Sequence, residues 1–102
     1  MHFGVNLNNR EALIAPNYDV SALLDLSATV ERLGFDSIWV GDSLFSKPRY
    51  EPLSLLSAIS QRTKTAQLGT ACLVTATRDP LYLALEWATL DVISGGRTIL
   101  GA

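Results

Sequence analysis

Cysteine is all but missing from this sequence, with Cys72 the only one in 102 residues. A lone cysteine excludes an intrachain disulfide, so packing has to hold whatever fold forms. Histidine is just as scarce. His2 stands beside the first methionine with no second ligand at metal spacing, and neither a zinc nor an iron set can be read from the chain. Charge of one sign is also lacking: eight Lys and Arg against ten Asp and Glu leave a net charge of -2. Without a basic stripe to follow phosphates, nucleic acid is not an expected partner. Long apolar runs are absent too. Stretches such as Ala22 to Leu26 are broken by polar residues and fall far short of the roughly 20 residues that a membrane helix needs. No leader pattern opens the chain, so the expected setting is a reducing cytoplasm and not a membrane.

What is present is core-forming material. Hydrophobic residues make up 48% of the chain and the mean hydropathy is +0.23, enough for one domain over residues 1–102. Met1, Phe3, Val5 and Leu7 alternate with His2, Gly4 and Asn6, which predicts a strand over 1–7. Residues 8–18 hold Asn, Arg and Pro with no lasting period and read as a loop. Asp19 then offers an N-cap to a helix over about 20–33, which Gly34 stops. A second strand is expected over 37–40. A loop around Lys47-Pro48 follows, and Pro52 sits where a first helical turn tolerates proline. Leu53, Leu56, Ile59 and Ser60 share one face of that helix. An apolar strand is expected over 66–74, and Asp79-Pro80 repeats the cap-then-proline signal before a helix to about Val92. Gly95-Gly96 closes that helix, and Thr98 to Leu100 begins a fourth strand. Asp91, near a helix C-terminus, opposes the helix dipole and needs a compensating partner, for which Arg97 or the N–H groups of the Ser94-Gly95-Gly96 turn are the candidates. Trp39, Trp87 and Tyr82 read as core or interface aromatics.

Strands alternating with helices at this spacing imply parallel pairing through right-handed crossovers, the α/β class. A doubly wound dinucleotide fold would place a glycine-rich turn after the first strand. The segment NLNNREALIAPN contains no glycine, which argues for the other architecture, a (β/α)8 TIM barrel whose working residues cluster at the carboxyl ends of its strands. Asp42 stands just past the end of the second strand, where that chemistry sits. Eight strands need about 200 residues or more, so four parallel (β/α) units make the N-terminal half of such a barrel. The set Phe3, Val5, Ile38, Val40, Leu68 and Leu73 predicts an oily inner face.

The runs LGFDSIWVGDS (33–43), PRYEPL (48–53), LGTACL (68–73), RDP (78–80), ATLDVISGGR (88–97) and the closing LGA resemble the N-terminal part of the luciferase-like flavin-dependent monooxygenases. Members include bacterial luciferase, alkanesulfonate monooxygenases and deazaflavin-dependent dehydrogenases. The resemblance covers almost the whole chain and implies a (β/α)8 barrel with the flavin ring at the strand C-termini. Asp42 has two readings, a loop-capping carboxylate or a hydrogen-bonding or acid/base group facing flavin or substrate. Where deazaflavin-dependent members often carry a histidine after this aspartate, the chain has Ser43. At Thr70, Ala71 and Cys72 small residues would let a planar ring approach the backbone, and the resemblance implies a cis peptide at Ala71-Cys72. Cys72 as a nucleophile or metal ligand ranks below a small core residue. Asn6 would line the pocket or tie the first loop.

The function so implied is a flavin-dependent oxidoreductase or monooxygenase that oxidises a small organic substrate with reduced flavin and oxygen. FMN is the expected cofactor, with deazaflavin coenzyme F420 in a dehydrogenase or reductase as the alternative. A barrel hydrolase built on Asp42 lacks the second carboxylate, histidine or metal set that such chemistry uses. A non-catalytic half-barrel association module is the remaining reading. Four strands leave two unpaired edges, so a homo-oligomer is expected, and the chain alone should bind FMN poorly and be inactive.

Overall fold

The computed structural model describes residues 1–10, 16 and 19–102. Four parallel strands, β1 (Gly4–Leu7), β2 (Ser37–Val40), β3 (Gln67–Thr70) and β4 (Thr98–Ile99), lie in the order β1-β2-β3-β4. Helices α1 (Val20–Arg32), α2 (Pro52–Ser60) and α3 (Pro80–Ser94) connect them, with a 3₁₀ turn at Thr75–Thr77. Most of the expected 8–18 loop, namely residues 11–15, 17 and 18, lies outside the described residues.

Each helix opens on an acidic cap. Asp19 accepts from the Ser21 N–H at 3.0 Å, Glu51 from Leu53 and Ser54 at 3.1 and 2.7 Å, and Asp79 from Leu81 and Tyr82 at 2.9 and 3.2 Å. Pro52 and Pro80 fill the first helical turn behind two of these caps, where the missing N–H is not needed. Gly34 (φ 94°) and Gly95 (φ 74°) adopt the left-handed conformation that ends α1 and α3.

The strands are shorter than the apolar alternation predicts. At the end of β3 the chain leaves the ladder after Thr70, and the Leu73 N–H donates to Gly101 O. Apolar character therefore outlasts strand pairing, because residues beyond the ladder still pack. Leu73 is buried as a loop residue, 2% exposed.

The oily inner face is a misreading that the packing corrects. Ile38, Val40 and Leu68 are fully buried in one cluster with Leu23 and Val30 of α1, Leu55, Leu56 and Ile59 of α2, and Leu90 of α3, while Val5 packs against it. This apolar side of the sheet faces the helices. Alternation shows that a strand has an oily side, not which layer covers it, and here α1, α2 and α3 cover it with apolar residues of their own. The other side carries Asn6, Trp39, Gly69 and Ile99, in register across the four strands. The Trp39 ring lies against Gly4 and Gly69, where any Cβ would stand 2.4–2.6 Å from it, and its Nε1 donates to Ser37 Oγ at 2.8 Å. Trp39 is thus a half-buried cover on the face turned away from α1, α2 and α3. Tyr82, 69% exposed, is not a core residue.

The N-terminal ends of the strands are tied by charge. Glu31 accepts from the Lys64, Thr65 and Ala66 N–H groups at 2.8–3.0 Å. Burial opposes ionisation there, but these three donors outweigh it and hold the carboxyl below the usual glutamate range. Arg97 does not compensate Asp91, as one reading of the sequence had it. Asp91 accepts from the Thr98 N–H and hydroxyl, and its backbone carbonyl from Gly96 N. The Arg97 guanidinium instead bonds the carbonyls of Ser94, Ala66, Ser60 and Thr63 and the Thr63 hydroxyl.

Candidate active site at the strand carboxyl ends

Parallel register puts Val40 beside Thr70, so Asp42 and the Thr70–Cys72 segment emerge at one end of the sheet, as expected. A cleft of about 370 Å³ opens there, bounded by Asp42, Leu44, Phe45, Pro48, Arg49, Tyr50, Glu51 and Arg78.

Asp42 is spoken for within this end. Its Oδ1 accepts from the Leu44 N–H at 3.2 Å, and its Oδ2 accepts from the Val74 N–H and Arg78 Nη2, each at 3.0 Å. Only 4% of the side chain is exposed. Burial alone would raise the carboxyl, but the Val74 N–H, the Arg78 guanidinium and the Leu44 N–H together hold it below the usual aspartate range. It is an anion with no proton to deliver near neutral pH. Leu44, with φ 48°, sits in the left-handed region and is pinned by this bond. Arg78 also pairs with Glu51 at 3.2 Å. One guanidinium therefore couples the β2–α2 loop, the first turn of α2 and the entry to α3.

Thr70 is fully buried. Its hydroxyl donates to Gly101 O at 2.9 Å and accepts from Gly101 N at 3.1 Å, so it supports the end of the sheet from within and offers no side chain to a ligand. Ala71 and Cys72 are exposed, so Cys72 is not the small core residue that was expected. The Ala71–Cys72 peptide is cis, as the resemblance implies. Asn6 is exposed one position before the end of β1, on the Trp39 side. Asn6, Ala71 and Cys72 thus offer accessible surface at or near this end, while Asp42 and Thr70 build the frame.

Two residues here were not singled out from the sequence. Asn9 is fully buried and donates from Nδ2 to Gly41 O and Tyr50 O at 2.9 and 3.1 Å, while its backbone carbonyl accepts from Tyr50 N. Arg49 packs close against Gly41, where a Cβ would come within 2.7 Å of Nη1 and 3.2 Å of Cζ. Asn9 falls in a stretch without periodicity, which hides it. Arg49 lies inside PRYEPL, one of the runs that carry the family resemblance.

A sequence profile described as Luciferase-like monooxygenase matches residues 1–102. Over 86 residues the chain is 36% identical to an F420-dependent glucose-6-phosphate dehydrogenase of Amycolatopsis mediterranei, covering 78% of this chain and 26% of that protein. Among solved structures, the monooxygenase RslO1 of Streptomyces bottropensis superposes with a TM-score of 0.79 at 28% identity, over 98% of this chain and 32% of its own. The oxygenating constituent of the 3,6-diketocamphane monooxygenase of Pseudomonas putida, in complex with FMN, gives 0.76 at 19% identity, over 98% and 28%, a likeness of fold alone. The chain therefore spans between 26% and 32% of the length of these proteins. Because the profile takes in every residue, and the parallel sheet overlays that of a monooxygenase across nearly its full length, the chain belongs to the luciferase-like monooxygenase family.

Proposed function

We propose that the chain contributes the cofactor-side frame of a flavin-dependent oxidoreductase that oxidises a small organic substrate. The observation that carries this reading is the convergence at one sheet end of the exposed, small-residue Ala71–Cys72 segment and the locked Asp42–Arg78–Glu51 network. A planar ring needs a side-chain-poor platform beside polar groups, and these residues fit it. Bound there, a flavin supplies the redox chemistry. The chain's own part is to present the Ala71–Cys72 platform, to hold the loop over it through Asp42, and to keep an anion and two guanidiniums at fixed positions. FMN is the proposed cofactor, with deazaflavin coenzyme F420 as the alternative. An F420-dependent relative and an FMN-bound structural neighbour support each in turn. Monooxygenation is favoured over deazaflavin-dependent hydride transfer because Ser43 offers a hydroxyl where that chemistry often has an imidazole.

At 11.1 kDa the chain suits backbone amide spectroscopy, which reads weak binding. FMN added to millimolar concentration should shift the Gly41, Ala71 and Cys72 signals saturably. Affinity should be poor, since barrel phosphate sites are commonly built after strands seven and eight. Shifts confined to other parts of the chain would remove the flavin reading, and tight binding would show that these residues suffice without the remaining strands.

Self-association is the second part of the proposal. α3 is apolar around most of its circumference, yet only Leu90 and Ser94 of its fifteen residues are buried. Leu81, Leu85, Ala88 and Val92 form an exposed stripe at spacings of four, three and four, the pattern that packs one helix on another. A second copy is the proposed occupant, with an interface above about 1,000 Å². Leu85→Glu should turn an oligomer into a monomer in light scattering at micromolar concentration, and a monomeric parent chain would end the idea. The exposed Cys72 thiol suits a reducing cytoplasm.

A further inference from the structure

The geometry points to Arg49 as an oxyanion-holding residue at the mouth of the site, taking a carboxylate or phosphate carried by whatever ligand occupies it. The inference rests on the proposed placement of the ligand at the strand carboxyl ends, and adds the chemistry that the ligand must carry.

Arg49 is set in place by neutral groups. Asn9 Nδ2 is committed to two backbone carbonyls, which leaves its Oδ1 as an acceptor, and Arg49 Nη1 donates to it at 2.9 Å. Ser43 Oγ donates to Lys47 O at 2.9 Å, which turns its lone pairs to Arg49 Nε at 3.1 Å. Both acceptors are therefore oriented by bonds of their own. The guanidinium packs close against Gly41, where the same missing Cβ would stand 3.8 Å from Ala71 O. No ion pair of Arg49 occurs among the described residues. Among the described residues, ion pairs within 4.0 Å join His2 to Asp36, Arg62 to Asp25, and Arg78 to Asp42 and Glu51. Both carboxylates that share the cleft with Arg49 are thus engaged by Arg78. Among the described residues Arg49 reaches no carboxylate within 4.0 Å, while Leu44, Phe45, Pro48 and Tyr50 give the cleft apolar walls. With the Nε hydrogen given to Ser43 and one Nη1 hydrogen to Asn9, an oriented, half-buried guanidinium presents its Nη2 edge to an oxyanion. The ligand this describes is an apolar or aromatic body bearing one anionic group.

The ¹⁵Nε–H signal of Arg49 reads the inference directly. It is assigned by its loss in Arg49→Lys or, if that variant does not fold, by its cross-relaxation with the Gly41 α-protons. Benzoate and inorganic phosphate are the anionic probes, benzamide is the neutral control, and FMN is compared with riboflavin. A saturable Arg49 shift with benzoate or phosphate, at least about tenfold tighter than with benzamide, is expected. If FMN produces the shift and riboflavin does not, the oxyanion is the cofactor's phosphate. If benzoate produces it while FMN and riboflavin act alike, the oxyanion belongs to the substrate. Absence of a saturable shift with every anion overturns the inference, whether or not riboflavin moves Ala71 and Cys72. Conversely, benzoate bound at Arg49 with no flavin response at those residues would leave the inference standing and sink the flavin reading.

Discussion

Replacing Arg97 with methionine should lower the stability of the fold by about 2 to 4 kcal/mol, because several buried acceptors lose a charged donor together. The guanidinium reaches Ser94 O at 2.6 Å, Ala66 O at 2.9 Å, Ser60 O and the Thr63 hydroxyl at 3.0 Å, and Thr63 O at 3.2 Å. Ser60 and Ser94 are the last residues of α2 and α3, so one cation serves two helix C-termini whose carbonyls have no intrahelical donors. Arg97→Lys should recover little of the loss, since a single ammonium cannot span five acceptors arranged around a planar fork. Urea unfolding checks this through a lower midpoint at unchanged slope. A methionine variant within about 0.5 kcal/mol of the parent would mean that water replaces these bonds at no expense.

Most of the fold could be read in the chain because its punctuation is local. Asp19, Asp79, Pro52, Pro80, Gly34 and Gly95 each act within a turn of where they stand, and each marks an observed boundary. Strand order followed from spacing and handedness. The facing of the sheet did not, because Ile38 and Leu68 alternate identically whether helices or a barrel interior cover them. The fate of Asp91 was equally hidden. Thr98 and Arg97 are adjacent in sequence, and only the twist of the Gly95-Gly96 turn brings the first of them, and not the second, to the carboxylate.

The candidate site was legible in position and less so in role. A strand ending on Asp42 marked the carboxyl end of the sheet as the candidate working end, but donors that occupy the carboxylate come from Val74 and Arg78, 32 and 36 residues away. No local pattern encodes such a partnership. The same holds for Asn9 and Arg49, 40 residues apart and bonded to each other. Thr70 was picked for its place at a strand end. Its side chain turned out to face inward because Val40 and Thr70 share a register row and the helix-facing side.

Asp42→Asn should destabilise the chain by about 3 kcal/mol at neutral pH, since it leaves Arg78 less than fully paired and turns an amide toward at least one donor. Asparagine has a single acceptor oxygen. It can keep either the Leu44 N–H or the Val74 N–H with Arg78, and its NH₂ then faces the others. The effect should depend on pH in a defined direction. The folded-state pKa of Asp42 lies below its unfolded value, so its stabilisation is complete above the unfolded pKa and drains away as pH falls through the folded one. The difference between parent and variant should therefore be constant from neutrality down to about pH 4 and shrink in stronger acid. Glu31, also held low by its N–H donors, adds its own acid sensitivity to both proteins and leaves that difference untouched. Arg78→Met should reproduce the loss at neutral pH, and the double variant should fall short of the sum of the two, which is the signature of a shared pair. Additive losses, or a difference that persists undiminished at the lowest pH where both proteins fold, would show that Asp42 contributes through shape and not through its charge.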